Sequence, residues 1–187
     1  GEDVFIDLPG YGADPQYKDI FVEFDHMAAT DQRHFLPKKA ALQKVVDAFA
    51  NAPVDNPNGE TGIHLHVDAG PDFLMNKDTG ETWGTHSQAN SVAHSAEIGM
   101  VVDNASYDWT EFQALKDVHF ATARESIFHY AINADRLGGT GASGVARTGG
   151  DGIDGADFIV SLRGEGSAGT EAGTFMHELG HNLGLRH

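Results

Sequence analysis

Residues 19–25 alternate apolar and polar side chains with period two and read as a strand. Pro37 suits a first helical turn, and Leu42, Val45, Val46 and Phe49 follow at i, i+3, i+4 and i+7. That spacing predicts an amphipathic helix over 37–52. Residues 61–68 form the next predicted strand, completing a strand–helix–strand unit of the kind that builds an α/β layer with a largely parallel sheet. Residues 70–108 show little periodicity and read as a long surface excursion. A helix over 109–120 and a strand over 127–133 come next. The glycine-rich stretch from 138 to 173 holds two short strand candidates, 142–148 and 157–162, of which the second is the more convincing. The last segment, 170–183, is helical by pattern, with Phe175, Leu179 and Leu183 four apart and Gly184 as its stop.

Composition narrows the function classes. The 187 residues carry 28 acidic against 12 basic side chains, a formal charge of -16, which argues against a nucleic-acid partner. No stretch approaches the roughly 18–20 apolar residues of a membrane span, so the chain reads as soluble, with no membrane partner. Forty per cent hydrophobic residues suffice for the core of one domain. The absence of cysteine removes disulfides, thiolate metal ligands and a cysteine nucleophile. There is no internal repeat. The opening Gly1-Glu2-Asp3 is polar, unlike a signal or transit peptide, and reads as a cut inside a longer precursor.

The chemistry lies at the C-terminal end. His177 and His181 are four residues apart, so on a helix both imidazoles point to one side and can bind one metal ion. Glu178, one residue on, is placed to act as a base on a water and not as a ligand. Gly184 lets the chain leave the helix sharply, because glycine takes positive φ without penalty. The turn can bring His187 round as a third ligand. Three neutral imidazoles and a water make a tetrahedral catalytic zinc site with one open position. A chance match to all five fixed positions is expected roughly 2 × 10⁻⁴ times per chain. Histidines on the polar face of an ordinary amphipathic helix would explain neither the glycine nor the third histidine.

This string resembles the zinc-binding consensus of the metzincin metalloendopeptidases. Thr174 to Met176 before it and Asn182 to Arg186 within it resemble a group of secreted bacterial metzincin-type proteases. The order of predicted elements is similar too. The resemblance implies an α/β fold: a twisted, mostly parallel five-stranded sheet with an antiparallel edge strand, a backing helix and an active-site helix. It implies a secreted zinc-dependent endopeptidase acting on a peptide or protein substrate, with zinc on His177, His181 and His187. Metal-activated water would attack the peptide bond with Glu178 as general base. Residues 142–148 would be the edge strand, with Ser143, Gly144, Val145 and Ala146 pairing to an extended substrate.

In metzincins a methionine-containing turn follows the third histidine by tens of residues, and this sequence ends at His187. The expectation is therefore that residues 1–187 are the upper part of one catalytic domain. Two accounts are open: a cleaved enzyme, whose C-terminal fragment would be a partner, or an upper subdomain alone. A cysteine-switch latency device cannot lie within these residues.

Weaker signals have plainer readings. His64 and His66 alternate on one strand face, a spacing that can bind metal, and ordinary strand packing accounts for them. His86 and His94 read as loop histidines. Asp151, Asp154 and Asp157 offer carboxylates that calcium favours, but they lack the spacing of an EF-hand and read more simply as a polar turn. Residues 138–141 resemble part of a phosphate loop but lack its lysine. Two rival functions stay open: a catalytically inert metal-binding or adhesion module on a protease-like scaffold, and a non-proteolytic zinc hydrolase. Glu178 between the two histidines counts against the first.

Overall fold

Strand β1 (Asp19–Met27) runs through the middle of the molecule and is buried on both faces. Its Phe24 ring meets Phe175 with centroids 5.1 Å apart, while Phe21 on the other face meets Phe128 at the same separation. The polar positions of the alternation do not face water. Glu23 and Asp25 lie on the Phe21 face, where Arg124 bonds to Glu23 and to Asp68. A computed structural model describes residues 6–103, 106–148 and 153–187, the last stretch without the side chains of 153 and 154.

The remaining elements, in chain order, are α1 (Lys39–Ala50), β2 (His64–Asp68), β3 (Ser91–Val92), β4 (Ile98–Asp103), β5 (Ser106–Asp108), α2 (Thr110–His119), β6 (Phe128–Ala134), β7 (Leu137–Gly138), β8 (Gly144–Ala146), β9 (Asp157–Ser161) and α3 (Ala168–Asn182). The main sheet has the order β2-β1-β6-β9-β8. All its pairings are parallel except β8 with β9, so the expected antiparallel edge strand is present. The sheet has six strands rather than five, because β3 pairs with the far end of β1 beside β2. Helices α1 and α3 pack against each other, and Phe175 of α3 sits between Phe24 and Phe158. Glu171 in the first turn of α3 ties the two together, its carboxylate accepting from the backbone N–H and the ammonium of Lys38. On the opposite face, α2 sets Phe112 against Tyr130.

The segment 70–108 is more than a surface excursion. Trp83 is fully buried and donates its indole N–H to Val67 O, and Phe73, Met75, Val92 and Ile98 join the core. Ser87 and Gln88 donate to the Asp68 carboxylate, and Asn90 N to Asp25. Strands β4 and β5, with β7, form a second small sheet. Gly138 owes its place to this sheet: a Cβ there would lie 2.2 Å from Gly99 O, so strand contact explains the glycine without a phosphate.

Candidate active site

Helix α3 begins where Ser167 caps it, its hydroxyl accepting from Thr170 N, two residues ahead of the expected start. It ends in a Schellman turn. Gly184 takes φ 92°, its N–H donates to His181 O, and Leu185 N donates to Gly180 O. That reversal does two things. It carries His187 back against the helix, and it sets Leu185 O 2.9 Å from His181 Nδ1. A carbonyl only accepts, so the ring proton of His181 sits on Nδ1 and Nε2 presents a lone pair.

The nitrogens of His177, His181 and His187 lie within 4.8 Å of one another, and the Nε2 atoms of His177 and His181 are 3.1 Å apart. Two nitrogens on a tetrahedral zinc at about 2.05 Å would be roughly 3.3 Å apart. Desolvation, and then the neighbouring His181 and His187, hold the His177 pKa below its ordinary value, which keeps a lone pair available. The donor set is the one zinc takes, with the carbonyl on His181 as the orienting second partner such sites use.

Glu178 is 5% exposed, on the side of α3 that faces β8. Burial raises its pKa to about 7, against the opposing pull of His181. A cleft of about 640 Å³ opens between β8 and α3, lined by residues that include Ser143, Gly144, Val145 and Ala146 with His177, Glu178, His181 and His187. The edge-strand residues and the motif residues expected from the sequence therefore meet in one groove.

The backbone register divides the edge strand. Arg147 N donates to Asp157 O, and Ser161 N donates to Ser143 O. Gly144 pairs with Val160 and Ala146 with Phe158. In an antiparallel ladder bonded pairs alternate with unbonded ones. Ser143, Val145 and Arg147 thus turn their backbone groups to β9, while Gly144 and Ala146 turn theirs to the free edge above the cleft.

Sequence reading missed three contributors. Gly173 lines the cleft four residues before His177, and its lack of a side chain leaves the groove open; the spacing 173, 177, 181 is the signal. Thr174 donates its hydroxyl to Ser143 Oγ at 3.3 Å. Asn182, inside the motif, donates to Arg147 O and Asp157 O while its Oδ1 faces His129 Nδ1, linking the end of α3 to β6, β8 and β9.

The other candidates lie elsewhere. His94 Nε2 faces Asp135 Oδ2 at 3.1 Å, and the His86 ring packs on Tyr11. Asp151 and the side chain of Asp154 lie outside the described residues. Asp157 is engaged by Lys116 at 2.6 Å and Arg147 at 2.8 Å.

No curated protein and no solved structure gave a significant match. A family model did: the reprolysin-like metallopeptidase family M12B matches residues 58–187, from the strand before the long segment through the third histidine. With an α/β sheet, an antiparallel edge strand and a histidine triad in agreement, the chain belongs to the reprolysin-like M12B metallopeptidases, zinc-dependent endopeptidases of metzincin type.

Proposed function

We propose that the cleft between β8 and α3 is where a peptide or protein substrate is hydrolysed, with zinc held by His177, His181 and His187 and Glu178 as general base. One observation carries this: three histidine nitrogens converge in the cleft that β8 lines, with the Glu178 carboxylate against Gly144 of that strand. Zinc in that position supplies Lewis acidity, making a water more acidic and polarising a carbonyl oxygen. The outward N–H and C=O groups of Gly144 and Ala146 pair with an extended peptide and hold its scissile bond along the cleft. Ser143 and Val145 keep the strand fixed to β9 and shape the groove with their side chains. Glu178 takes a proton from the attacking water as its oxygen bonds to the carbonyl carbon. It then gives that proton to the leaving nitrogen as the C–N bond breaks. A base near neutrality suits both transfers, and burial beside β8 favours such a value.

Calcium is outside this reading, since Asp157 is already paired with two cations. Secretion belongs to it on family grounds. Among the described residues no helix is long and apolar enough to cross a membrane.

Cleavage of an unfolded protein substrate tests the reading. Glu178→Ala should lower the rate by about 10²–10⁴-fold while leaving bound zinc unchanged. A chelator should abolish cleavage, and zinc should restore it. Cleavage that survives either treatment would overturn the assignment, and zinc uptake without any cleavage, even with the expected C-terminal part of the domain supplied, would return the inert module to favour.

A further inference from the structure

At the opposite edge of the main sheet from the cleft, β2 carries His64 and His66 on one face. The parallel register places Asp19 of β1 directly beside His64 and diagonal to His66. One donor atom from each of the three lies within 4.8 Å of the other two. Ordinary strand packing does not require such convergence.

Each donor is held in orientation by a second group. His66 is 3% exposed, and its Nδ1 lies 2.8 Å from Met75 O. Since a carbonyl only accepts, Nδ1 carries a proton, and Nε2 is the ring atom turned to Asp19 Oδ1 at 2.8 Å. His64 Nδ1 stands 3.6 Å from that same oxygen, while its Nε2 faces Asp78 Oδ2 at 3.4 Å. The other oxygen of Asp19 accepts from Asp14 N at 3.2 Å. The rings are clamped as well: Tyr17 stacks on His64 at 4.0 Å and Phe21 on His66 at 4.5 Å. His181 in the histidine triad shows the same device, an Nδ1–H given to a carbonyl with Nε2 turned to the other donors.

We propose that Asp19 Oδ1, His64 Nδ1 and His66 Nε2 form a second metal site, structural in role, that takes a divalent transition metal of the zinc class. A carboxylate oxygen and two imidazole nitrogens that converge in a half-buried setting suit a cation between them. Imidazole nitrogens select zinc-like ions over calcium or magnesium, which prefer all-oxygen shells. Asp78 and Met75 O act as the outer partners that fix the rings. Bound metal would join β1, β2 and the turn that carries residues 75–78, with no direct part in peptide hydrolysis. The site does not depend on the function assigned to the histidine triad.

The test uses the 187-residue chain with the triad disabled by His177→Ala and His181→Ala, so that only the second site remains. After metal removal and dialysis against micromolar Zn²⁺ or Co²⁺, elemental analysis should find one equivalent bound, and Co²⁺ should give visible d–d bands. The thermal midpoint should rise with Zn²⁺ concentration. Adding Asp19→Asn or, separately, His64→Gln should remove the bands and the midpoint rise; both residues are partly exposed, and circular dichroism checks that each variant folds. Absence of bound metal in the folded triad-disabled chain would overturn the proposal, as the proton-bridged His66–Asp19 pair would then account for the geometry. Uptake unchanged by both further substitutions would overturn it too.

Discussion

Gly144 lies so close against Glu178 that a Cβ at position 144 would stand 2.5 Å from Oε1 and 2.7 Å from Cγ. Edge strand and motif helix are thus in contact at the carboxylate itself. Gly144→Ala should displace that carboxylate, because the end of a glutamate side chain yields more easily than strand backbone. A misplacement near 1 Å costs about 10²-fold in rate. Steady-state assays should show such a fall in kcat, with zinc content and thermal midpoint close to those of the unaltered chain. A variant of full activity would mean that Glu178 works from another rotamer.

Gly184 has φ 92° and open space where a Cβ would go, so substitution there strains the backbone and little else. Gly184→Ala should cost about 1 kcal/mol from the left-handed conformation. The relaxation moves both Leu185 O, which orients His181, and His187. Zinc affinity measured by chelator competition should fall by about 10-fold. Asn at this position, which tolerates positive φ, should do less harm. Equal affinity in the alanine variant would detach the turn from metal binding.

Asn182 donates to Arg147 O and Asp157 O, at the far ends of β8 and β9. Asn182→Ala should destabilise the chain by about 1–3 kcal/mol by leaving these acceptors without that partner. With the edge strand less firmly held, KM for a peptide spanning the cleft should rise more than kcat falls. A fall in kcat alone would place Asn182 with the reacting groups instead.

The motif helix was legible because its signals are local: the i, i+4 histidines, the glycine stop and the third histidine lie within eleven consecutive residues. Strand β1 was legible as an element, but its polar positions read as a wet face. Arg124, distant in sequence, buries them instead. Residues 70–108 gave no periodic signal because they are anchored by single contacts, such as the Trp83 indole on Val67 O and the Ser87 hydroxyl on Asp68. Two histidines at 64 and 66 were visible as a pair. Asp19 joins them only once the β1–β2 register is known. The contact of Gly144 with Glu178 depends on how α3 packs over β8, which no local pattern encodes.

The buried charge cluster makes stability depend on pH. Burial raises Glu23 to about 8 against the pull of Arg124, and raises Asp25 to about 7 against hydrogen bonds from Asn90 and Tyr130. Glu23 Oε1 is buried without a hydrogen-bond partner. Between their ordinary values and these raised ones the folded chain holds protons that the unfolded chain has released, so stability falls as pH rises through that window. The half-buried His26 and His129, their pKa values lowered by desolvation, act oppositely and cost stability as pH falls below about 6.5. Above that point the carboxylates govern the trend. Glu23→Gln keeps the side-chain shape and removes one ionisation. Urea unfolding from pH 6.5 to 9 should show the unaltered chain losing on the order of 1 kcal/mol per pH unit up to about 8. The Gln variant should decline less steeply over the same range, its remaining loss coming from Asp25 and Glu178. Parallel curves for the two chains would mean that Glu23 is already ionised in the fold, held by Arg124 at neutral pH.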